Sequence, residues 1–134
     1  MTFAGKKLAF IGSGVMGRAI IGGLLGKGLI APNQIIASDP DMKAMETIQA
    51  NNGINVTHDN LEAVKDANIM VLCVKPQIMP TVLDGLRGHV AHIELAISIA
   101  AGVTLKAVEE GLALMHVVRA MPNTPARSDR VFPS

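Results

Sequence analysis

Three glycines at the junction of an apolar strand and a helix constrain this chain more than any other feature. Residues 7–11 (KLAFI) predict a short buried strand, and apolar residues at helical spacing predict a helix over 15–27. Gly12, Gly14 and Gly17 occupy this junction in the spacing G-x-G-x-x-G. Such a junction makes a tight turn, lets backbone approach a pyrophosphate and brings the helix close to the sheet. The helix N-terminus adds N–H groups and partial positive charge. The pattern therefore predicts a dinucleotide-binding turn.

Short apolar runs alternate with helical patterns along the rest of the 134 residues. This alternation predicts βαβ units, with a parallel sheet and helices on both of its faces. Right-handed crossovers favour a doubly wound sheet of the Rossmann type, so the predicted fold class is α/β with about six strands. We assign residues 1–126 to this NAD(P)-binding domain and 127–134 to an irregular tail. The predicted strands are 7–11, 34–38, 54–57, 69–74, 94–99 and 116–119, and the predicted helices are 15–27, 41–51, 60–66, 77–86 and 104–114.

The composition excludes several other classes of function. Twelve basic and eleven acidic residues give a formal net charge of +1, whereas proteins that bind a nucleic-acid backbone are usually far more basic. The chain has no Trp or Tyr on which bases would stack. A single cysteine excludes an intramolecular disulfide and a Cys-rich zinc site, and the four histidines lack metal-ligand spacing. We therefore expect neither a nucleic-acid partner nor a metal.

A basic pair followed by an apolar run resembles a secretory signal at first sight. Lys6 and Lys7 precede the mostly apolar residues 8–25. Arg18 interrupts this run and five glycines weaken it as a membrane helix, whereas a strand, a glycine turn and a helix account for all of it. We expect a cytoplasmic protein that has no membrane contact.

The second part of a dinucleotide fingerprint is an acid after the second strand. Asp39 lies 22 residues after Gly17, at the end of the predicted strand 34–38. Its carboxylate would accept hydrogen bonds from an adenosine ribose, which favours NAD, and would repel the 2′-phosphate of NADP. Ser38 and Lys43 would suit a phosphate, so the residues leave NAD and NADP both open. The alternative role of Asp39 is to cap the helix that follows.

Ligands in such folds lie beyond the carboxyl ends of the strands, so three more segments are candidates for the binding site. Lys75 follows the fourth predicted strand and would bond a cofactor ribose, or else is a solvated loop cation. Ala100 and Ala101, after the fifth strand, would let a nicotinamide ribose lie against backbone. Asn123, after the sixth, suits a carboxamide or a small substrate, or else caps a turn between two prolines. Cys73 is expected in the core.

Four blocks of the sequence resemble pyrroline-5-carboxylate reductase. They are IGSGVMGRAIIGGLL, AVKDANIMVLCVKPQ, ISIAAGVTL and VVRAMPNTPA, which occur in that family's order and cover about residues 7–126. The V-K-P-Q and R-A-M-P-N-T-P blocks are more specific than the glycine motif. The resemblance implies NAD(P)H-dependent reduction of 1-pyrroline-5-carboxylate to L-proline, the last step of proline biosynthesis.

The resemblance also implies which residues contact the cofactor, and Asn123 would face its nicotinamide end. The acid at Asp39 is a departure, because members of this family often have Ser, Asn or Arg near this position where NADP is preferred. The implied contacts are Ile11, Gly12, Ser13, Gly14, Val15, Met16, Gly17, Ser38, Asp39, Asn60, Val74, Lys75, Pro76, Ile99, Ala100, Ala101 and Asn123.

Length is a second departure from the family. Members of the family are about twice as long and continue into a helical domain that forms a homo-oligomer and supplies the pocket for the substrate. The family-like text stops at Ala126, so we expect that domain to be absent and no catalytic residue to lie in these 134 residues. The chain would then bind a dinucleotide and reduce pyrroline carboxylate poorly. The alternatives are another two-domain dehydrogenase of the β-hydroxyacid type, or a dinucleotide-binding module that is not an enzyme.

Overall fold

A computed structural model describes residues 5–12, 15–99, 105–112 and 117–119. Helices and strands alternate along these residues, as the sequence predicts. The strands are β1 (Leu8–Ile11), β2 (Ile35–Ser38), β3 (Asn55–Thr57), β4 (Ile69–Leu72), β5 (Leu95–Ser98) and β6 (Val117–Arg119). The helices are α1 (Val15–Gly26), α2 (Met42–Asn52), α3 (Asn60–Val64), α4 (Met79–Leu86) and α5 (Leu105–Leu112), and a single 3-10 turn covers Pro32–Gln34.

The six strands form one parallel sheet in the order β3-β2-β1-β4-β5-β6. β1 pairs with β2 on one side and with β4 on the other, in registers that align Ile11 with Ser38 and with Leu72. The chain therefore reverses its direction of travel across the sheet between β1 and β4. This is the strand order of a dinucleotide-binding Rossmann sheet. The predicted α/β doubly wound fold is confirmed.

The sheet is buried on both faces, because residues that alternate along each strand pack under different helices. Ala9 and Ile11 belong to the core beneath α3, α4 and α5. Leu8 and Phe10 belong to the core beneath α1 and α2, and Phe10 is fully buried. Burying both faces requires nearly continuous apolar strands, which is why the short run in β1 signals a central strand.

Short polar and glycine signals fix the helix ends. The Asp41 carboxylate accepts a hydrogen bond from the Ala44 N–H at 3.1 Å and caps α2. Gly53 ends α2 in the left-handed region, with φ 71°, and its N–H bonds the Gln49 carbonyl at 2.8 Å. Gly28, which follows the predicted helix 15–27, has φ 66°. These ends agree with the predicted boundaries to within a residue or two.

The start of α4 differs from its predicted position at residue 77. The helix begins at Met79, because Lys75 to Ile78 first form a turn in which the Ile78 N–H bonds the Lys75 carbonyl at 3.0 Å. Pro80 lies in the first helical turn, where its missing N–H is tolerated.

The 3-10 turn before β2 was not predicted; there the Gln34 side chain accepts from the Ala31 N–H at 2.8 Å. The predicted helix and strand ends at 104, 113–114 and 116, and the tail 127–134, lie outside the described residues.

A polar clamp joins three strands at the amino-terminal edge of the sheet. Lys6, just before β1, bonds both carboxylate oxygens of Glu94 at 2.8 and 3.0 Å. The Asn68 amide donates to Glu94 at 3.2 Å, and its oxygen accepts from the Lys7 N–H at 2.9 Å. The hydrogen bond from Lys6, assisted by its charge and by Asn68, holds the pKa of the Glu94 carboxyl below its ordinary value despite some desolvation.

We expect Glu94→Gln to lower the melting temperature at about pH 7 and to have no effect at about pH 2. Since the pKa of Glu94 is lowered by folding, its contact stabilises the fold above the unfolded-state pKa and is lost as pH falls through the folded-state pKa. Circular dichroism measures both melts, because the chain lacks Trp and Tyr. Glu46→Gln, on an exposed face of α2, is the control. An equal loss at both pH values would contradict this account.

Candidate functional site

The candidate site lies at the carboxyl edge of the sheet, where the loops that leave β1, β2, β4 and β5 meet. Because the strand order reverses between β1 and β4, the helices that follow these strands, α1 and α4, lie on opposite faces of the sheet. Doubly wound sheets generally have a crevice at such a point. The predicted glycine turn leaves β1 at this point. The fold therefore brings the glycine motif to the position at which doubly wound sheets bind ligands.

Gly12 is held where only glycine fits. Its φ is 88°, and a Cβ at this position would lie 2.9 Å from Val74 Cγ1 and 3.0 Å from the Val74 backbone nitrogen. The Gly12 N–H donates to the Ser38 carbonyl at 2.7 Å. The first residue of the turn is thus fixed between the ends of β2 and β4. Ser13 and Gly14, which follow it, lie outside the described residues.

Gly17 lets α1 pack directly on the end of β4. A Cβ on Gly17 would lie 3.2 Å from Cys73 Sγ and 3.5 Å from the Gly12 carbonyl oxygen. The expected role of Gly17, close packing of helix and sheet, is confirmed by this geometry. Val15 and Met16 form the first turn of α1, so their backbone N–H groups lie at the end of the helix nearest the carboxyl edge of the sheet.

Cys73 packs beneath α1 with the apolar core of that face, as predicted. Burial raises the pKa of its thiol to about 12. The thiol therefore stays protonated at neutral pH, and Cys73 lacks the thiolate that a nucleophile would need. Its contribution to the site is packing.

The end of β2 contacts the start of α3 through two polar side chains. Ser38 is fully buried, and its hydroxyl donates to Asn60 Oδ1 at 2.6 Å. Asn60 is the first residue of α3, and Asp59 caps that helix by accepting from the Leu61 N–H at 3.0 Å. The structure thus brings together two of the residues that the resemblance implied, although 22 positions separate them in the sequence.

Asp39 adopts a local role that differs from the predicted alternative. The helix cap is Asp41, whereas Asp39 accepts a hydrogen bond from the Asp41 N–H at 2.8 Å. The Asp39 N–H donates to the Thr57 carbonyl at 3.2 Å. A half-buried carboxylate is therefore fixed just after β2, one residue beyond Ser38.

The loops after β4 and β5 form the other half of the edge. Val74 is half-buried against Gly12, while Lys75 and Pro76 are exposed in the turn that leads to α4. Ile99, just after β5, is half-buried, and its N–H bonds the Leu72 carbonyl at 3.2 Å. Ile11 ends β1 and is fully buried. Ala100, Ala101 and Asn123 lie outside the described residues.

Two polar residues of this edge escaped the sequence analysis. Thr57, the last residue of β3, is buried and bonds Asp59 and Glu62. Asp59 and Glu62, the two residues that Thr57 bonds, have the spacing of a capping box. That spacing is the sequence signal by which this part of the edge could have been noticed. Ser98, the last residue of β5, is buried, and its hydroxyl finds no hydrogen-bond partner among the residues that the structure describes.

The described residues lack two other kinds of site. Among them, no group of three or more His, Cys, Asp or Glu side chains is placed to hold a metal ion. No helix in the described part of the chain is both long and apolar enough to cross a membrane.

Strand order, glycine turn and acid after β2 together define a dinucleotide-binding domain of the Rossmann type. Residues 7–102 match the model of the family described as NADP oxidoreductase, coenzyme F420-dependent, and the chain belongs to this family.

The named proteins that the chain matches are from the family that its four sequence blocks resemble. The chain is 41% identical over 122 residues to the pyrroline-5-carboxylate reductase of Methanosarcina acetivorans, covering 90% of this chain and 45% of that protein. The structure of a pyrroline-5-carboxylate reductase from Coxiella burnetii matches with a TM-score of 0.83 and 34% identity, over 92% of this chain and 46% of that one. The Plasmodium falciparum pyrroline carboxylate reductase with NADP bound matches with a TM-score of 0.76 and 30% identity, over 90% and 44%.

These matches confirm the resemblance that the sequence blocks indicated. They also give its extent, since this chain spans about half the length of the relatives it matches.

We expect Gly12→Ala to destabilise the fold more than Gly28→Ala does. Both glycines have positive φ, which costs about 1–3 kcal/mol for another residue. A Cβ at Gly28 meets nothing within 4 Å, whereas at Gly12 it meets Val74 and Cys73. The clash adds about 1–3 kcal/mol, typical of overpacking. Urea denaturation followed by circular dichroism measures both losses, and equal losses would show that the turn is not packed against β4.

Proposed function

We propose that this chain provides the dinucleotide-binding part of an NAD(P)H-dependent reductase that converts 1-pyrroline-5-carboxylate to L-proline. The observation that carries the proposal is the close packing of Gly12 and Gly17 against Cys73 and Val74, just after β4, where the strand order reverses. Glycines packed in this way place the start of α1 where a pyrophosphate would lie. The names of the matched reductases supply the substrate.

In this proposal the cofactor contacts follow the two halves of the edge. The glycine turn holds the pyrophosphate, the end of β2 with the start of α3 holds the adenosine ribose, and the loops after β4 and β5 hold the nicotinamide ribose. The contacts are Ile11, Gly12, Ser13, Gly14, Val15, Met16 and Gly17; Ser38, Asp39 and Asn60; Val74, Lys75, Pro76, Ile99, Ala100 and Ala101; and Asn123 at the nicotinamide end.

The chemistry of the proposed reaction divides between cofactor and protein. The cofactor, when bound in reduced form, would supply a hydride to the carbon of the protonated cyclic imine, whose C=N bond would become C–N. The described residues would contribute orientation: backbone N–H groups at the start of α1 would hold the phosphates, and the exposed Lys75 would lie on the nicotinamide side. We propose that groups which hold the substrate carboxylate and imine belong to the part of the matched reductases that this chain does not cover.

Calorimetric titration of the 134-residue chain with NADH and NADPH tests the first part of the proposal. We expect saturable binding of at least one of them, and at least about tenfold weaker binding by Gly12→Ala, because its Cβ would clash with Val74 and shift residue 12. Heat is the suitable signal, since the chain has no Trp or Tyr.

An assay with 1-pyrroline-5-carboxylate and either cofactor tests the second part, and we expect little turnover from this chain. Ordinary turnover, about 1–1,000 per second, would place the substrate groups within these residues instead. Absence of binding to both nucleotides by folded chain would contradict the proposed function.

We further propose that Asp39 turns the cofactor preference towards NAD(H). Its carboxylate is held just after β2 by the Asp41 N–H, so a 2′-phosphate bound at this end of the strand would meet negative charge. A ribose with free hydroxyls would instead find acceptors for its hydrogen bonds.

We expect Asp39→Asn to raise the affinity for NADPH relative to NADH by about tenfold or more, because it removes one charge near the phosphate. The amide oxygen of Asn can still accept from the Asp41 N–H, so the loop keeps its shape. Asp41→Asn is the matched control, since Asn also caps helices well, and it should change the ratio much less. Titration of the three proteins gives the ratios. An unchanged ratio in Asp39→Asn would contradict the assigned role.

A further inference from the structure

Thr57 links both segments that meet at the proposed ribose end of the site. It is the last residue of β3 and is 8% exposed. It is not part of the glycine motif and is not among the cofactor contacts that the resemblance implies. Its carbonyl accepts from the Asp39 N–H at 3.2 Å. Its hydroxyl accepts from the Asp59 N–H at 3.1 Å and donates to the Glu62 carboxylate. One residue therefore anchors the loop after β2 and the start of α3.

The contacts of Thr57 continue to the residues proposed to hold the ribose. Asp59 caps α3 through the Leu61 N–H, and Asn60 lies between them as the first helical residue. Asn60 in turn accepts from the buried Ser38 hydroxyl at 2.6 Å. The position of the Asn60 side chain thus depends on where α3 begins, which the Thr57 hydroxyl fixes from one side.

The hydroxyl of Thr57 has its hydrogen-bonding capacity largely used within the protein. It donates its single proton to Glu62 and accepts from Asp59, and the side chain is buried. These contacts commit it to the loop and the helix start. A residue in this situation acts on a ligand through its neighbours.

We propose that Thr57 is a positioning residue for the adenosine ribose of the bound dinucleotide. Its carbonyl holds Asp39 and its hydroxyl holds the start of α3, so that Asp39 and Asn60 face the ribose in one fixed arrangement. The inference rests on the proposed function, since it concerns the same nucleotide site. Thr57 lies in the protein core at the edge of the site, and the proposal assigns it no contact with the ligand.

Thr57→Val tests the proposal, because it keeps the shape and the carbonyl and removes the hydroxyl. We expect NADH and ADP-ribose to bind about three- to tenfold more weakly, the effect of one lost hydrogen bond on a positioned group. Thr57→Ser restores the hydroxyl and should bind both ligands within about twofold of the wild type. Thr47→Val is the matched control: it removes an exposed hydroxyl that bonds the Lys43 carbonyl in α2, and it should leave both affinities unchanged.

A second variant and a second measurement keep the test decisive if Thr57→Val fails to fold. Glu62→Ala removes the exposed partner of the Thr57 hydroxyl and should weaken ADP-ribose binding in the same direction. Hydrogen exchange of the Asp59 amide should quicken in Thr57→Val, which loses its acceptor, but not in Thr57→Ser.

Wild-type affinity in folded Thr57→Val would overturn the inference and leave the proposed function standing. A lower melting temperature with unchanged affinity at low temperature would assign Thr57 a purely structural role and overturn it equally. If the wild-type chain bound neither nucleotide, the proposed function would fail and this inference with it.

Discussion

The close packing of Gly12 and Gly17 against the residues that follow β4 is the constraint on which the rest of the site depends. At Gly12 there is no room for a Cβ between the turn and Val74, and at Gly17 the space between α1 and Cys73 is barely wider. These two contacts set the height of α1 above the sheet. They also set where its N–H groups point, and therefore where an anion can lie.

The two halves of the carboxyl edge are built in different ways. Gly12 and Gly17 are positioned by contact with the backbone and side chains of Cys73 and Val74, just after β4. The end of β2 is instead positioned by hydrogen bonds, through Ser38, Asp39 and their partners on β3 and α3. Packing of the first kind tolerates little change in residue size, whereas a hydrogen-bonded loop can accept different polar residues. The end of β2, which we propose holds the ribose, is therefore the part of the site in which polar residues can change without loss of the fold.

Much of this fold could be predicted from the sequence because its local signals agree with one another. The run in β1, the glycine spacing and the apolar pattern over 15–27 all indicate a strand followed by a helix, and the structure has both. The parallel sheet followed from the alternation of elements. The start of α4 was misplaced because Pro80 is compatible with a first helical turn and gives no sign that residues 75–78 turn first.

The polar contacts of the site were harder to predict, because they depend on which strands are neighbours. Asp39 could be found by its distance from Gly17, but its bond to Thr57 exists only because β2 pairs with β3 in one register. Ser38 and Asn60 likewise meet across that pair of elements. A residue such as Thr57, whose role is to hold others, has no motif of its own and becomes visible only through its partners.

The clamp at the opposite edge of the sheet has a consequence for the order of folding. Lys6 and Glu94 are 88 positions apart, and their contact forms only when β1, β4 and β5 already lie side by side. Closing so long a loop is costly until other contacts have formed, so we expect this pair to form after the main folding barrier. An interaction that forms after the barrier slows unfolding and leaves the folding rate unchanged. We therefore expect the clamp to lengthen the lifetime of the assembled sheet without guiding its assembly.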